Sequence, residues 1–191
     1  MEGEKREEIV INLEQDKKEP KMEFKTDYPI KDLAKFISYI RSDKEERRGK
    51  VSPEVAEERI KYMLEKPNAI ELTLEIDGTL VGCAFSYEED RERLEKDVPY
   101  INFFSKKGER VFKIREVDVH PDYRRQGFGT IVMEEIMKRL KEKGATKLVL
   151  STFPEKENKA NRLYTGVGFR EVAPDQDEHN YYMSYDYGWD K

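Results

Sequence analysis

The chain carries a single cysteine, Cys83, in 191 residues. No intrachain disulfide can form, so packing alone must hold the fold, and a reducing compartment fits. Histidine is nearly as scarce: His120 and His179 stand apart, both read as structural, and no Cys/His cluster has metal-ligand spacing, so no metal is expected. Long apolar runs are missing as well. Mean hydropathy is −0.92, and no stretch approaches the roughly 20 apolar residues that a membrane span requires. The first residues are acidic and polar, without a signal-peptide pattern, so a cytoplasmic location is expected. An excess of positive charge is lacking too. A net charge of −5 and a pI near 5.4 oppose a general nucleic-acid binder. Neither a nucleic acid nor a membrane is therefore expected as a partner.

What the chain has in abundance is charge, 40% of its residues, laid over apolar residues that recur periodically. That combination reads as one folded domain with a charged surface, and Lys and Glu enrichment of this kind also occurs in thermophile proteins. Residues 1–20 form an extension in which Ile9, Val10, Ile11 and Leu13 interrupt charged residues. It reads equally as an extra edge strand or a disordered lead-in. Residues 21–191 form the domain. Leu33, Phe36, Ile37 and Ile40 trace a helical stripe after Pro29, before a hydrophilic stretch from Arg41 to Lys50. Ser52 and Pro53 mark the start of a second helix, with Val55, Arg59, Ile60, Met63 and Leu64 expected on its inner face. Ile70 to Ile76 alternates apolar with polar residues, predicting one buried and one wet face. Asp77-Gly78 then signals a hairpin turn.

The segment from Arg110 to Val119 shows a break in phase. Phe112 and Ile114 are apolar at even positions, whereas Val117 and Val119 are apolar at odd ones. One extra residue near Arg115-Glu116, a β-bulge, would reconcile them. A strand end buried on both faces is the alternative. Pro121 ends the strand, and Arg124-Arg125-Gln126-Gly127-Phe128-Gly129-Thr130 leads into a helix carrying Ile131, Val132, Ile136 and Leu140. Glu134–Lys138 and Glu135–Arg139 are expected ion pairs on its outer side, and Gly144 its stop. Glycines without side chains, two guanidinium groups and the unpaired N–H groups of a first helical turn together suit an anion such as a pyrophosphate. A Walker loop is excluded because no Lys-Ser/Thr follows. A dinucleotide fingerprint is excluded because its third glycine would fall at Val132.

Downstream, Asn158-Lys159-Ala160-Asn161-Arg162-Leu163-Tyr164 precedes Gly168-Phe169. This block and Arg124-x-x-Gly127-x-Gly129, in this order with a strand between, resemble the two signature blocks of the GNAT N-acetyltransferase superfamily. The resemblance implies a mixed α/β fold whose mostly antiparallel central sheet splays at two parallel strands, with helices on both faces. It implies acetyl-coenzyme A as acyl donor, its pyrophosphate wrapped by the backbone of Arg124, Arg125, Gln126, Gly127, Phe128, Gly129 and Thr130. The main chain of Val117 and Val119 would pair with the pantetheine arm like an added strand. Asn158 and Asn161 would be further coenzyme contacts, although Asn158 also suits a helix cap.

Tyr164 is the expected acid for the departing thiolate, against the alternative of a core tyrosine on the face of Ala160, Leu163 and Val167. Glu116, at the presumed bulge, is the candidate base for the incoming amine, against a water relay. The expected reaction is acetyl transfer to a primary amine of a small molecule or protein by direct attack. Cys83 offers little support for an acyl-enzyme route. The rivals are a non-catalytic coenzyme A-binding sensor of the same fold and an enzyme using a larger acyl group. The acceptor is expected between residues 88–109 and the acidic, tyrosine-rich end of the chain, where acids would favour a cationic amine. Monomer and homodimer are both compatible with the sequence.

Overall fold

A computed structural model of the chain describes residues 19–42, 50–89, 108–152, 160–174 and 181–188. Its elements are β1 (Met22–Lys25), α1 (Ile30–Ser42), α2 (Pro53–Leu64), β2 (Ile70–Ile76), β3 (Thr79–Glu88), β4 (Val111–Val119), a 3-10 turn (Pro121–Tyr123), α3 (Phe128–Glu142), β5 (Lys147–Thr152), α4 (Ala160–Gly166), β6 (Arg170–Pro174) and β7 (Tyr181–Asp186). The strands form one seven-stranded sheet in the order β1-β2-β3-β4-β5-β7-β6. Every neighbouring pair is antiparallel except β4 and β5, which run parallel. This is the mixed architecture expected. The extension at residues 1–20 lies almost wholly outside the described residues, as does most of the 88–109 connection.

Each face of the sheet carries its own core. Val132, Met133, Ile136 and Leu140 of α3 pack with Leu72, Leu74, Phe112, Leu148 and Leu150 on one face. Leu33, Ile37 and Ile40 of α1 and Ala56, Ile60 and Met63 of α2 pack with Cys83, Phe85 and Tyr87 on the other. Ser52 caps α2 through the Val55 N–H, with Pro53 at its first turn. The inner face of α2 differs from the expectation in two positions. Val55 is 42% exposed and Arg59 points outward, while Ala56 takes the buried position. On α3, Arg139 pairs with Glu135 at 2.8 Å, but Lys138 also turns to Glu135, at 3.6 Å, and not to Glu134.

The expected wet face of β2 is also buried. Glu71, Thr73 and Glu75 are 5%, 0% and 5% exposed. The reason is that partners from the preceding turn and strand cover them. Glu71 accepts from the Tyr28 N–H at 3.0 Å, Thr73 donates to the Lys25 carbonyl, and Glu75 receives the Lys25 ammonium. Burial, the larger influence, raises the Glu71 carboxyl above its usual value, whereas the Lys25 hydrogen bond lowers that of Glu75.

The hairpin turn is as read. Asp77 (φ 49°) and Gly78 (φ 79°) are both left-handed, the two-residue turn that matches strand twist. The bulge in β4 is present as well. Phe85 pairs with Glu116 and Ser86 with Ile114, so Arg115 is the extra residue. A clamp fixes the outer ends of β3 and β4. Arg110 meets both carboxylate oxygens of Glu88, at 2.9 and 2.7 Å, and also donates to the Lys143 carbonyl at the end of α3. The Arg110 hydrogen bond holds the Glu88 carboxyl below its usual range. Its stabilisation is therefore present above the ordinary carboxylate value and lost as pH falls through the lower, folded one. Glu88→Gln should cost about 1 kcal/mol at neutral pH, a half-exposed two-pronged pair near the surface being worth little more. Urea titrations at pH 7 and pH 3 should show that difference at neutral pH and its disappearance in acid.

Candidate active site

The sheet opens where β4 and β5 part. They pair only at Val111–Lys147, Phe112–Leu148 and Lys113–Val149, and the bulge at Arg115 bends β4 away beyond that point. His120 donates its N–H to the Val81 carbonyl at 2.8 Å, on the β3 side. Because an antiparallel ladder alternates, the main-chain groups of Val117 and Val119 then face away from β3, into the opening. There the Val119 carbonyl accepts from Arg124 Nε at 3.0 Å. The Val117 N–H and C=O and the Val119 N–H have no hydrogen-bond partner among the described residues. They form a short exposed edge at the base of a V.

The edge leads directly to the turn before α3. Arg125 (φ 61°) and Gly127 (φ 90°) are both left-handed, a pattern that turns successive N–H groups into an anion-binding concavity. Arg125, as a non-glycine residue, pays about 1 kcal/mol for that conformation. Gln126 Nε2 braces the turn by donating to the Asp122 carbonyl at 2.8 Å. Gly127 is the N-cap without a side-chain partner, and the first helical bond is Ile131 N–H to the Gly127 carbonyl at 3.1 Å. The N–H groups of Phe128, Gly129 and Thr130 therefore have no partner within the helix. The guanidinium of Arg125 is exposed, whereas that of Arg124 is turned back to the end of β4.

Aromatic contacts hold this turn to α1. His120 stacks on Tyr39 at 5.3 Å and meets Tyr123 edge-on at 5.7 Å, and Tyr123 meets Phe128 edge-on at 5.9 Å. His120 is thus a packing residue, in keeping with its structural reading, and His179 lies outside the described residues.

The second block is brought to the same place. A Cβ at Gly129 would stand 3.3 Å from Leu163 Cδ2 and 3.9 Å from Val119 Cγ2, so glycine lets α4 close on α3 and on the end of β4. Asn161 is 4% exposed, and its Oδ1 is buried without a hydrogen-bond partner among the described residues. A buried acceptor of this kind is costly unless a donor reaches it. Tyr164 is half-buried, its ring 6.3 Å from that of Phe169. Asn158 lies outside the described residues.

Glu116 and Asp118 project toward α1 and meet a residue that sequence reading placed in a hydrophilic stretch. Arg41, only 7% exposed, donates to Glu116 Oε2 and lies 3.8 Å from Asp118 Oδ2. Helical spacing carried the signal, since Arg41 continues the inner stripe of Leu33 and Ile37 by one more turn. Beside this pair a cavity of about 420 Å³ lies between α1, α2, the bulged part of β4 and Ser151 of β5. Cys83 is wholly buried, and burial pushes its thiol well above the usual value, which disfavours a thiolate nucleophile. Among the described residues, no group of three or more His, Cys, Asp or Glu could hold a metal ion, and no helix is long and apolar enough to cross a membrane.

Residues 34–169 match the model of the acetyltransferase (GNAT) family. The chain belongs to that family. Among solved structures, a putative GNAT acetyltransferase from Desulfovibrio desulfuricans superposes with a TM-score of 0.64 at 16% identity, over 87% of this chain and 99% of the other. PaiA N-acetyltransferase from Thermoplasma acidophilum, in complex with coenzyme A, gives 0.60 at 16% identity over the same shares. The ribosomal-protein-S18-alanine N-acetyltransferase from Escherichia coli gives 0.57 at 16% identity, over 86% and 91%. No curated protein matches the chain. At these identities the likeness is one of fold.

Proposed function

We propose that the protein transfers an acetyl group from acetyl-coenzyme A to a primary amine by direct attack. The observation that carries this reading is the continuous path from the unpaired main chain of Val117 and Val119 to the unpaired N–H groups of Phe128, Gly129 and Thr130. An amide-bearing arm would add to β4 as a short strand. Its pyrophosphate would lie on Arg125, Gln126, Gly127, Phe128, Gly129 and Thr130, at the positive end of α3. Arg124 would hold the end of β4, and Asn161 Oδ1 would accept from the arm. That PaiA is a coenzyme A complex of the same fold supports this placement.

In the reaction the amine nitrogen attacks the thioester carbonyl carbon. A C–N bond forms, the C–S bond breaks, and sulfur leaves with the bonding pair. The Tyr164 hydroxyl gives sulfur a proton, and the amine's surplus proton passes to Glu116, directly or through water. Arg41 keeps the Glu116 carboxylate in place at the cavity wall.

Acetyl-coenzyme A at about a hundred times its Kd should stabilise the fold by about 2.7 kcal/mol. In a chain of this size that is a rise in Tm of roughly 5–10 °C. Gly127→Val should abolish the rise. A Cβ there meets nothing within 4 Å, so the harm lies in forcing a β-branched residue to φ 90° and in filling the space over the N–H groups. An unchanged wild-type Tm at saturating acetyl-coenzyme A would falsify the proposal. A rise in Tm with no amine-dependent thiol release would favour the coenzyme-binding sensor instead.

A further inference from the structure

We infer that the acceptor is a small amine that also carries a carboxylate, held by Arg59 and Arg115. The inference rests on the acetyl-transfer reading above and concerns the cavity of about 420 Å³ on the α1–α2 side of the opening. That volume lies in the range of small-molecule sites. Its lining holds three arginines, Arg41, Arg59 and Arg115, against one acid, Glu116. Arg41 is already answered by Glu116 and Asp118. Arg59 and Arg115 have no carboxylate partner among the described residues, and both are exposed.

Both residues have a local reason to be there. Arg115 is the extra residue of the β4 bulge, a device that re-aims a side chain. Arg59 occupies a position of α2 where an inner face was expected, yet it points outward while Ala56, Ile60 and Met63 make the core. Two planar guanidinium forks at one small cavity suit a carboxylate, and they would repel an acceptor that is only cationic. Their field also disfavours an ammonium nearby, which helps supply the neutral amine that attacks. The described walls therefore favour a different acceptor from the purely cationic amine suggested by the acids near the chain's end.

The test compares matched acceptors, the standard amino acids against their carboxamides, with simple diamines as a third arm. Thiol release from acetyl-coenzyme A is the readout. Charge-assisted hydrogen bonds to a carboxylate are strong enough for a preference of about tenfold or more in kcat/KM for the free acid. In Arg59→Gln and Arg115→Gln that preference should fall toward one, with Tm controlling for folding. Carboxamides or diamines used as well as the acids would overturn the inference while leaving acetyl transfer standing. So would arginine variants that lose coenzyme affinity but keep the preference, since the two arginines would then serve the donor. No amine-dependent release on any arm would overturn this inference and acetyl transfer to small amines with it.

Discussion

Arg41→Ala should destabilise the protein by about 3 kcal/mol, the lower end of the cost of breaking a buried ion pair. Arg41 stands between two carboxylates, donating to Glu116 Oε2 and lying 3.8 Å from Asp118 Oδ2. Side-chain exposures of 8% for Arg41, 17% for Glu116 and 12% for Asp118 place the cluster largely out of water. Asp118 Oδ2 has no hydrogen-bond partner among the described residues, so the guanidinium is its main compensation. Removing Arg41 leaves two carboxylates, two residues apart on one strand, facing the floor of α1. The residual exposure of Glu116 sets the lower end, because water can still reach part of that group. The loss corresponds to a fall in Tm of roughly 6–12 °C in a chain of this size. A urea midpoint that drops with an unchanged slope would report stability alone. The triple variant R41A/E116Q/D118N should recover part of the loss, since the groups share one network. Loss of the same size in the triple variant would show that packing of the arginine stem, and not charge, was at stake.

Much of the fold was legible because it is local. Asp77-Gly78 specified its hairpin, Ser52-Pro53 its helix start, and the phase break between Ile114 and Val117 placed a bulge near Arg115-Glu116, where the register makes Arg115 the extra residue. These features depend on neighbours a few positions away. What escaped the reading depends on partners far along the chain. Alternation along β2 correctly separated two faces, yet it could not tell that Tyr28 and Lys25 would cover the polar one and let Glu71 and Glu75 be buried. Arg41 was assigned to a hydrophilic run because charge outweighed period, although its partners stand 75 and 77 positions later. The phase break pointed to Arg115-Glu116 together, but it could not show Arg115 as a cation at a cavity, because the cavity is closed by α2 and β5. The left-handed turn at Gly127 and the helix start at Phe128 were legible, because glycine spacing is a local signal. Glycine spacing alone says little about a ligand, and the proposed coenzyme site draws equally on the second block at Asn161 and Tyr164.

Tyr164→Phe should separate chemistry from binding. The tyrosine lies on α4, one residue after Leu163, whose side chain closes on Gly129 at the start of α3. Its ring belongs to the rim of the larger core and tilts against Phe169, so phenylalanine keeps that packing. The acetyl-coenzyme A shift in Tm should persist, and stability should change by no more than about 1 kcal/mol, the net worth of one hydrogen bond. On the proposed mechanism, what the variant lacks is the proton for the departing sulfur. Loss of a general acid costs roughly 10²–10⁴-fold in rate, and a water that replaces it recovers part, so turnover should fall at least about tenfold. A fall in kcat with KM for the amine nearly constant would mark an interaction made in the transition state. Wild-type turnover in the phenylalanine variant would remove Tyr164 from the chemistry. The rate would then come from positioning between the open edge of β4 and the α3 turn, with sulfur protonated by solvent.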